Sequence, residues 1–544
     1  MSSNSNHSYK LFLVGSFFLT FFAILFYLVI RLALFLIADY LWYEKLLALL
    51  LLLAESFILI HSLGYFANVF IVHKHALTKQ DTIPHLEQYP PIAIVVASYK
   101  EPLSVIRDSL VCFYNISYPN KHLYFLDDTR YDLPWDTPEN KEKYRHEVEK
   151  LCQWLEVNLF RSKWHGAKAG KINDFLQFLA GNMQPGFEIY PYGDTQQKRE
   201  REKYLIIFDA DMNPMPNFAE ELVAIMEKKP NVAFIQTPQY YTNFETNRVA
   251  RAAGVQQAIF YEYICEGKSL KDSMFCCGTN VLFRIEALMS VGGFDETSVT
   301  EDFATSVKLH QKGWGSVYLN RVLAFGMGPE DLGAYFKQQF RWATGTIGIL
   351  KLLFVQIWRN FRKFTLSQWW EYFLASTHYL VGWVFLVMII CPICYLLFRA
   401  PSYFARPDIY FLAYTPYIVI TTFMFFWTIM QRKYRPVDLV PALLINAVAF
   451  PVFVKASFFA LLGIKTSFGI TPKGGANVLS FRSLIPQLIA TLFCVFALTW
   501  GFQRLYYEHE PFYAILFNMF WTFYNCMTVS FFMYFNHSEE RSRA

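Results

Sequence analysis

Long apolar runs occupy both ends of the chain, and a stretch with soluble-type patterning lies between them. Residues 11–37 and 46–72 each exceed the about 20 apolar residues that span a bilayer, so 1–89 reads as two membrane helices. The first run is also too long for a signal-peptide core of about 7–15 residues. From 369 to 544 the runs 369–397, 410–430, 483–502 and 512–534 predict four further spans. Two segments break this pattern. Residues 347–364 are apolar but interrupted by Lys351, Arg359, Arg362 and Lys363, so 346–368 is assigned to an amphipathic helix lying in the interface. Residues 437–462 carry Asp438, Pro441, Pro451 and Lys455, and read as an interfacial or re-entrant helix. Basic residues at His73-Lys74-His75 and Arg432-Lys433 then place the middle of the chain on the cytoplasmic side.

The middle block, 90–345, has another rhythm. Short β-rich runs at 92–97, 123–126, 204–208 and 232–236 alternate with helical periodicity, as at 218–227 behind Asn217, a good N-cap residue. Strands alternating with helices predict an α/β domain with a mostly parallel central sheet. Ligands of such sheets bind beyond the carboxyl ends of the strands, which is where Asp127-Asp128 and Asp209-Ala210-Asp211 fall.

Composition adjusts this picture little. The chain of 544 residues is 54% hydrophobic, and its net charge of +5 is too small to argue for nucleic acid. The nine cysteines form no disulfide framework, and Cys391-x-x-Cys394 lies in an apolar run where it reads as packing. Arg31 and Glu55 fall at similar depth in the first two spans and are expected to pair with each other.

Four polar clusters carry candidate chemistry. Asp209 and Asp211, one residue apart at a strand end, suit a single Mg²⁺ (or Mn²⁺), which takes few protein carboxylates and fills its shell with water and phosphate oxygens. Asp127-Asp128, at an earlier strand end, would sit beside it and hold a nucleotide. Thr300-Glu301-Asp302 opens a helical pattern at 303–311; Thr300 suits a cap, and a carboxylate there suits a general base. Gln338, Arg341 and Trp342 share one helix face, offering a forked donor for diphosphate and an indole plane for a sugar ring.

Taken together, Asp127-Asp128, Lys168-Ala169-Gly170-Lys171, Asp209-Ala210-Asp211, Gln236-Thr237-Pro238-Gln239, Cys277-Gly278-Thr279-Asn280, Thr300-Glu301-Asp302 and Gln338-x-x-Arg341-Trp342 resemble the processive family-2 glycosyltransferases, bacterial cellulose synthase catalytic subunits in particular. Phe468-x-Ile470-Thr471-x-Lys473 resembles the gating loop of those enzymes, here 466–475. The resemblance implies a GT-A type glycosyltransferase domain set between transmembrane segments in the plasma (inner) membrane. It implies nucleotide contacts at Asp127, Asp128 and Lys168, a metal–diphosphate pair at Asp209 and Asp211, and a general base at Asp302 beside Glu301. Gln338 and Arg341 would hold diphosphate, Trp342 would stack the acceptor, and Thr471 and Lys473 would reach the nucleotide. The expected activity is inverting polymerisation of glucose from UDP-glucose into a β-glucan, cellulose first, with passage of the polymer across the lipid membrane. Curdlan, mixed-linkage glucan, hyaluronan-like, chitin-like and mannan products stay open, as does a catalytically dead exporter. The resemblance leaves room for a periplasmic or outer-face export partner. Two spans precede the block where the best-known bacterial enzymes have four. Only ten residues follow 534, so no cyclic-di-GMP-binding PilZ domain is expected.

Overall fold

The computed structural model describes residues 3–76, 83–193, 201–245, 247–404, 407–464, 477–508 and 511–537. The segment 466–475, with Thr471 and Lys473, lies outside the described residues.

The soluble block folds around one eight-stranded sheet. Its strands are β1 (Ile92–Ser98), β2 (Lys121–Asp127), β3 (Asn158–Arg161), β4 (Glu188–Tyr190), β5 (Tyr204–Phe208), β6 (Val232–Gln236), β7 (Val281–Arg284) and β8 (Gly315–Tyr318). They lie in the order β8-β6-β7-β5-β1-β2-β3-β4. Strand β7 runs antiparallel to β5 and β6, and β4 runs antiparallel to β3, while the other neighbours are parallel. The expected α/β sheet of GT-A type is therefore present, mixed in direction, with four parallel and three antiparallel pairings. Because successive strand side chains point to opposite faces, Ile92, Ile94 and Val96 join one buried cluster and Ala93 and Val95 the other. The four strands foreseen from the sequence match β1, β2, β5 and β6. Strands β3, β4, β7 and β8 have three or four residues each, too short for alternation to show.

Two caps differ from expectation. Asn217 stands at the N-cap of Phe218–Lys228 but makes no side-chain cap bond; its amide donates to Glu221 at 2.6 Å instead. Thr300 stands at the N-cap of the base helix, Glu301–Gln311, likewise without a cap bond.

Around this domain stand long helices. Among the described residues, five are long and apolar enough to cross a membrane: Leu11–Ile37, Trp42–Ala76, Leu366–Phe398, Asp408–Gln431 and Phe481–Tyr507. The stretch 437–462 is two helices, Pro436–Val448 and Phe450–Leu462, bent by 48° at their junction, and would make a sixth crossing only if the bent pair counts as one span. The last foreseen span, 512–534, forms a helix at Phe512–Ser530 packed on its predecessor, but Asn518, Thr522 and Asn525 leave it outside that apolar set. Arg31 and Glu55 do pair, with the Tyr27 hydroxyl donating to the same carboxylate at 2.8 Å.

The boundary foreseen at 345 falls inside a single helix. Leu332–Asn360, the long helix, runs unbroken for 29 residues from an Asp331 cap, so the soluble block and the amphipathic segment share one rod. Elsewhere the domain is tied to the membrane helices by buried ions. Glu371 on Leu366–Thr377 holds Lys268 at 2.9 Å and Lys271 at 2.5 Å, and Lys271 also donates to Asn68 of the second membrane helix at 2.8 Å. Arg432 pairs with Glu266 at 2.8 Å.

Candidate active site

Strands β1, β2 and β5 end side by side, and the helix Ala167–Leu179 brings a lysine over them. The Lys168 ammonium lies 2.5 Å from Asp209 and donates to the Gly278 carbonyl at 2.7 Å. Thr279 Oγ1 accepts the Asp209 backbone N–H at 2.8 Å, which fixes the strand end. The loop preceding β7 thus forms one wall of the site. A buried amide holds it: Gln236 accepts from the Cys277 N–H at 2.8 Å and donates to the Thr279 carbonyl at 2.7 Å.

Asp302 stands directly against this loop. Gly278 has φ +84°, and a Cβ there would lie 2.9 Å from Asp302 Oδ2. Only glycine gives that conformation and lets the backbone approach the carboxylate so closely. One Asp302 oxygen accepts its own helix's Phe303 N–H at 2.7 Å. Burial pushes the Asp302 carboxyl up to about 7, and the neighbouring Glu301 charge adds to this; the Phe303 N–H, Lys168 and Arg341 pull it back in part. Glu301 is raised by burial too, against the pull of Lys168 and Arg341. A carboxylate that titrates near neutrality is matched to taking a proton from a hydroxyl.

The long helix supplies the third side. Arg341 is close enough to act electrostatically on Glu301, Asp302 and Tyr241. Gln338 Nε2 contacts the Tyr241 hydroxyl at 3.4 Å, while its buried Oε1 has no hydrogen-bond partner among the described residues. Trp342 is half-buried on the same face. Two helices meet here through Gly345. A Cβ at that position would collide with Thr300, reaching its Cγ2 well inside contact distance, Oγ1 at 2.9 Å and Cβ at 3.0 Å. Beyond it Ile349 and Leu353 pack against Phe303 and Val307 of the base helix.

Lys168, Asp209, Glu301, Asp302, Gln338 and Arg341 are thus gathered, and Asp211 lies near Tyr241. Asp127 and Asp128 have separate fates. Both Asp127 oxygens are taken up inside the protein, by Thr129 N–H at 3.1 Å, the Tyr131 hydroxyl at 2.9 Å and Arg161 at 2.8 Å. Asp128 is buried, and one of its oxygens lacks a partner among the described residues; burial raises it to about 7, Lys171 pulling down and Asp127 pushing up. Arg161, Lys171, Tyr241, Gly278 and Gly345 also shape the site, although the sequence alone gives none of them a role. Lys171 and Gly278 stood inside quoted motifs; Arg161, Tyr241 and Gly345 carry no signal until the fold pairs them.

Asp209 and Asp211 fit a hard divalent cation by donor type. The Asp209 side chain is 45% exposed at the strand end, and among the described residues no group of three or more His, Cys, Asp or Glu side chains forms a complete cage. That suits an ion completed by water and phosphate oxygens.

Comparisons bear on what this arrangement is for. Residues 93–292 match the model of glycosyl transferase family 2, and 204–454 match that of glycosyl transferase family group 2. The chain is similar to putative cellulose synthase 2 of Komagataeibacter xylinus (28% identity over 395 residues, 70% of this chain and 23% of that protein). It is also similar to the cellulose synthase catalytic subunit (UDP-forming) of Pseudomonas fluorescens, strain SBW25 (25% over 463 residues, 82% and 56%). Cellulose synthase 1 catalytic subunit (UDP-forming) of K. xylinus is a further relative (24% over 490 residues, 86% and 58%). The chain therefore spans about a quarter of the first and somewhat over half of the other two. Among solved structures it resembles mannosyltransferase PcManGT from Pyrobaculum calidifontis in complex with GDP-Man and Mn²⁺, at a TM-score of 0.49 and 16% identity over 76% of this chain and all of that one.

Proposed function

Since the chain is a cellulose synthase-like family-2 glycosyltransferase, we propose that it polymerises glucose from UDP-glucose into a β-glucan, cellulose first, and passes the product across the inner membrane. The α/β domain faces the cytoplasm in this reading. The observation that carries it is Asp302: a half-buried carboxylate, raised to about 7 by desolvation, that faces Gly278 and is flanked by Lys168 and Arg341.

Asp302 accepts the proton of the acceptor hydroxyl, whose oxygen attacks the anomeric carbon from the face opposite the diphosphate. The new C–O bond forms as the bond to the diphosphate breaks, inverting that centre, and UDP departs with the electron pair. In this reading Lys168, Arg341 and the Gln338 side chain orient that leaving group, since charge placed in advance is the larger part of such catalysis. Trp342 gives the acceptor's terminal ring a flat surface on which to stack. Asp128 offers its unpartnered oxygen to a nucleobase N–H. Asp209 and Asp211 would hold Mg²⁺ or Mn²⁺, which when bound neutralises charge on the diphosphate. Export to a partner at the outer face follows from the same reading.

The test is the full chain in lipid nanodiscs with UDP-glucose and either cation, followed by linkage analysis of the product. A β-linked glucan that disappears with chelator or in Asp211→Asn is expected. A polymer of another sugar, or UDP binding without any transfer, would refute the reading.

A further inference from the structure

The rod that carries Gln338 and Arg341 ends in a basic, aromatic corner whose cationic side chains have no acidic partner among the described residues. Along its last turns Phe354 and Trp358 are exposed, Trp358 at 88%, and Arg359, Arg362 and Lys363 are exposed beside them. None of the three cations makes an ion pair with the described residues. The corner is not loose. Trp369 donates its indole N–H to the Phe361 carbonyl at 3.0 Å and stacks on the Phe361 ring, and Thr365 and Gln368 form a capping box that starts the next helix. That next helix opens the apolar stretch Leu366–Phe398, one of the five long enough to cross a bilayer. Three cations without an ion pair among the described residues, beside an exposed tryptophan, thus stand just ahead of a stretch long and apolar enough to cross a bilayer, where a headgroup layer would lie. Indole rings partition to that layer, and basic residues there attract anionic headgroups.

We propose that Arg359, Arg362 and Lys363 bind the phosphates of anionic lipids, and that this contact sets the height of the catalytic helix above the membrane. The occupant is a lipid because the cations flank an exposed apolar face at the mouth of a span, a setting that a soluble anion would not need. Eighteen residues of unbroken helix separate Arg341 from Arg359, about 27 Å at ~1.5 Å per residue. Between them Ile349 and Leu353 pack against the base helix, so a shift of the corner moves both walls of the site together. The coupling to catalysis rests on the proposed function; the lipid contact does not.

Two readouts separate these claims. Native mass spectrometry of the full chain, purified from membranes containing both lipids, measures phosphatidylglycerol retained over phosphatidylcholine. Wild type should retain it, and R359Q/R362Q/K363Q should lose about fivefold of that preference per charge removed. R399Q, at the other end of the Leu366–Phe398 stretch and paired with Glu508, should change nothing. UDP release from UDP-glucose is then compared in nanodiscs of phosphatidylcholine alone and with about a third phosphatidylglycerol. Several-fold stimulation by the anionic lipid in wild type, absent in the triple variant, is expected. Equal retention of the two lipids by wild type, or unchanged retention in the triple variant, overturns the site. Retention without stimulation overturns the coupling. No turnover in any lipid would count against the proposed function while the retention result still decides the site.

Discussion

Gly345→Ala separates a structural idea from its opposite by sign alone. Mid-helix glycine costs roughly 0.5–1 kcal/mol relative to alanine, so propensity predicts that the substitution firms the long helix. The contact predicts the reverse. The added methyl would enter the volume of the Thr300 Cγ2, with Oγ1 at 2.9 Å and Cβ at 3.0 Å, and no flexible side-chain end is there to swing away. Overpacking of this kind costs about 1–3 kcal/mol. Because Thr300 leads directly into Glu301 and Asp302, relief comes by moving the base away from Arg341, and a displacement near 1 Å costs on the order of 10²-fold in rate. The same helix contains its own control. Gly348 has nothing within 4 Å of its Cβ position, so Gly348→Ala should leave turnover unchanged or firm the helix. The assay is steady-state UDP release in nanodiscs together with UDP affinity. Gly345→Ala should lower kcat by between about 10- and 100-fold with UDP affinity nearly intact, and Thr300→Gly in the same chain should restore much of it. Turnover in Gly345→Ala equal to that of Gly348→Ala, or no rescue by Thr300→Gly, would refute the reasoning.

Asp302→Asn should abolish polymer formation while UDP still binds, read by calorimetry beside product yield. The pH profile of kcat/KM should rise from acid and level off above an inflection near 7, because Asp302 must be unprotonated to act and burial has raised it to about that value. Glu301→Gln removes a negative neighbour that holds Asp302 up, so its inflection should move to lower pH; an unmoved inflection would mean another group titrates. Asp127→Asn breaks the buried contact with Arg161 and should cost about 3 kcal/mol of stability, read by protease resistance, whereas Asp128→Asn should weaken UDP binding in a stable protein.

The larger part of the site could be read in the sequence because its chemistry sits in contiguous or helix-spaced groups. Asp209 with Asp211, and Gln338 with Arg341, need only a strand end and a helix turn to be placed. Positions whose meaning depends on a partner far along the chain were silent. Arg161 is an ordinary strand residue until it meets Asp127 34 residues away, and Gly345 is an ordinary helical glycine until Thr300 packs on it. The two carboxylates of Asp127-Asp128 look interchangeable as letters; burial makes one a structural anchor and leaves the other with an unused oxygen. The short strand β7 was likewise hidden, its four residues being enough for pairing on both sides but not for a periodic signal. The break at 345 misled for a related reason, since a change from polar to apolar composition does not interrupt a helix.

The buried ion knot of Lys268, Lys271, Glu371 and Asn68 has a meaning for biosynthesis. Its parts leave the ribosome at three widely separated times: Asn68 on an early membrane helix, the lysines with the α/β domain, and Glu371 100 residues after Lys271. Until that last carboxylate arrives, docking the domain would bury two ammonium groups without a counter-charge, a cost of several kcal/mol per ion. Docking of the domain on the helix Trp42–Ala76 is thereby disfavoured until Glu371 is present. Glu371 then acts as a late latch, closing domain against membrane in one step once the helix Leu366–Thr377 has been made.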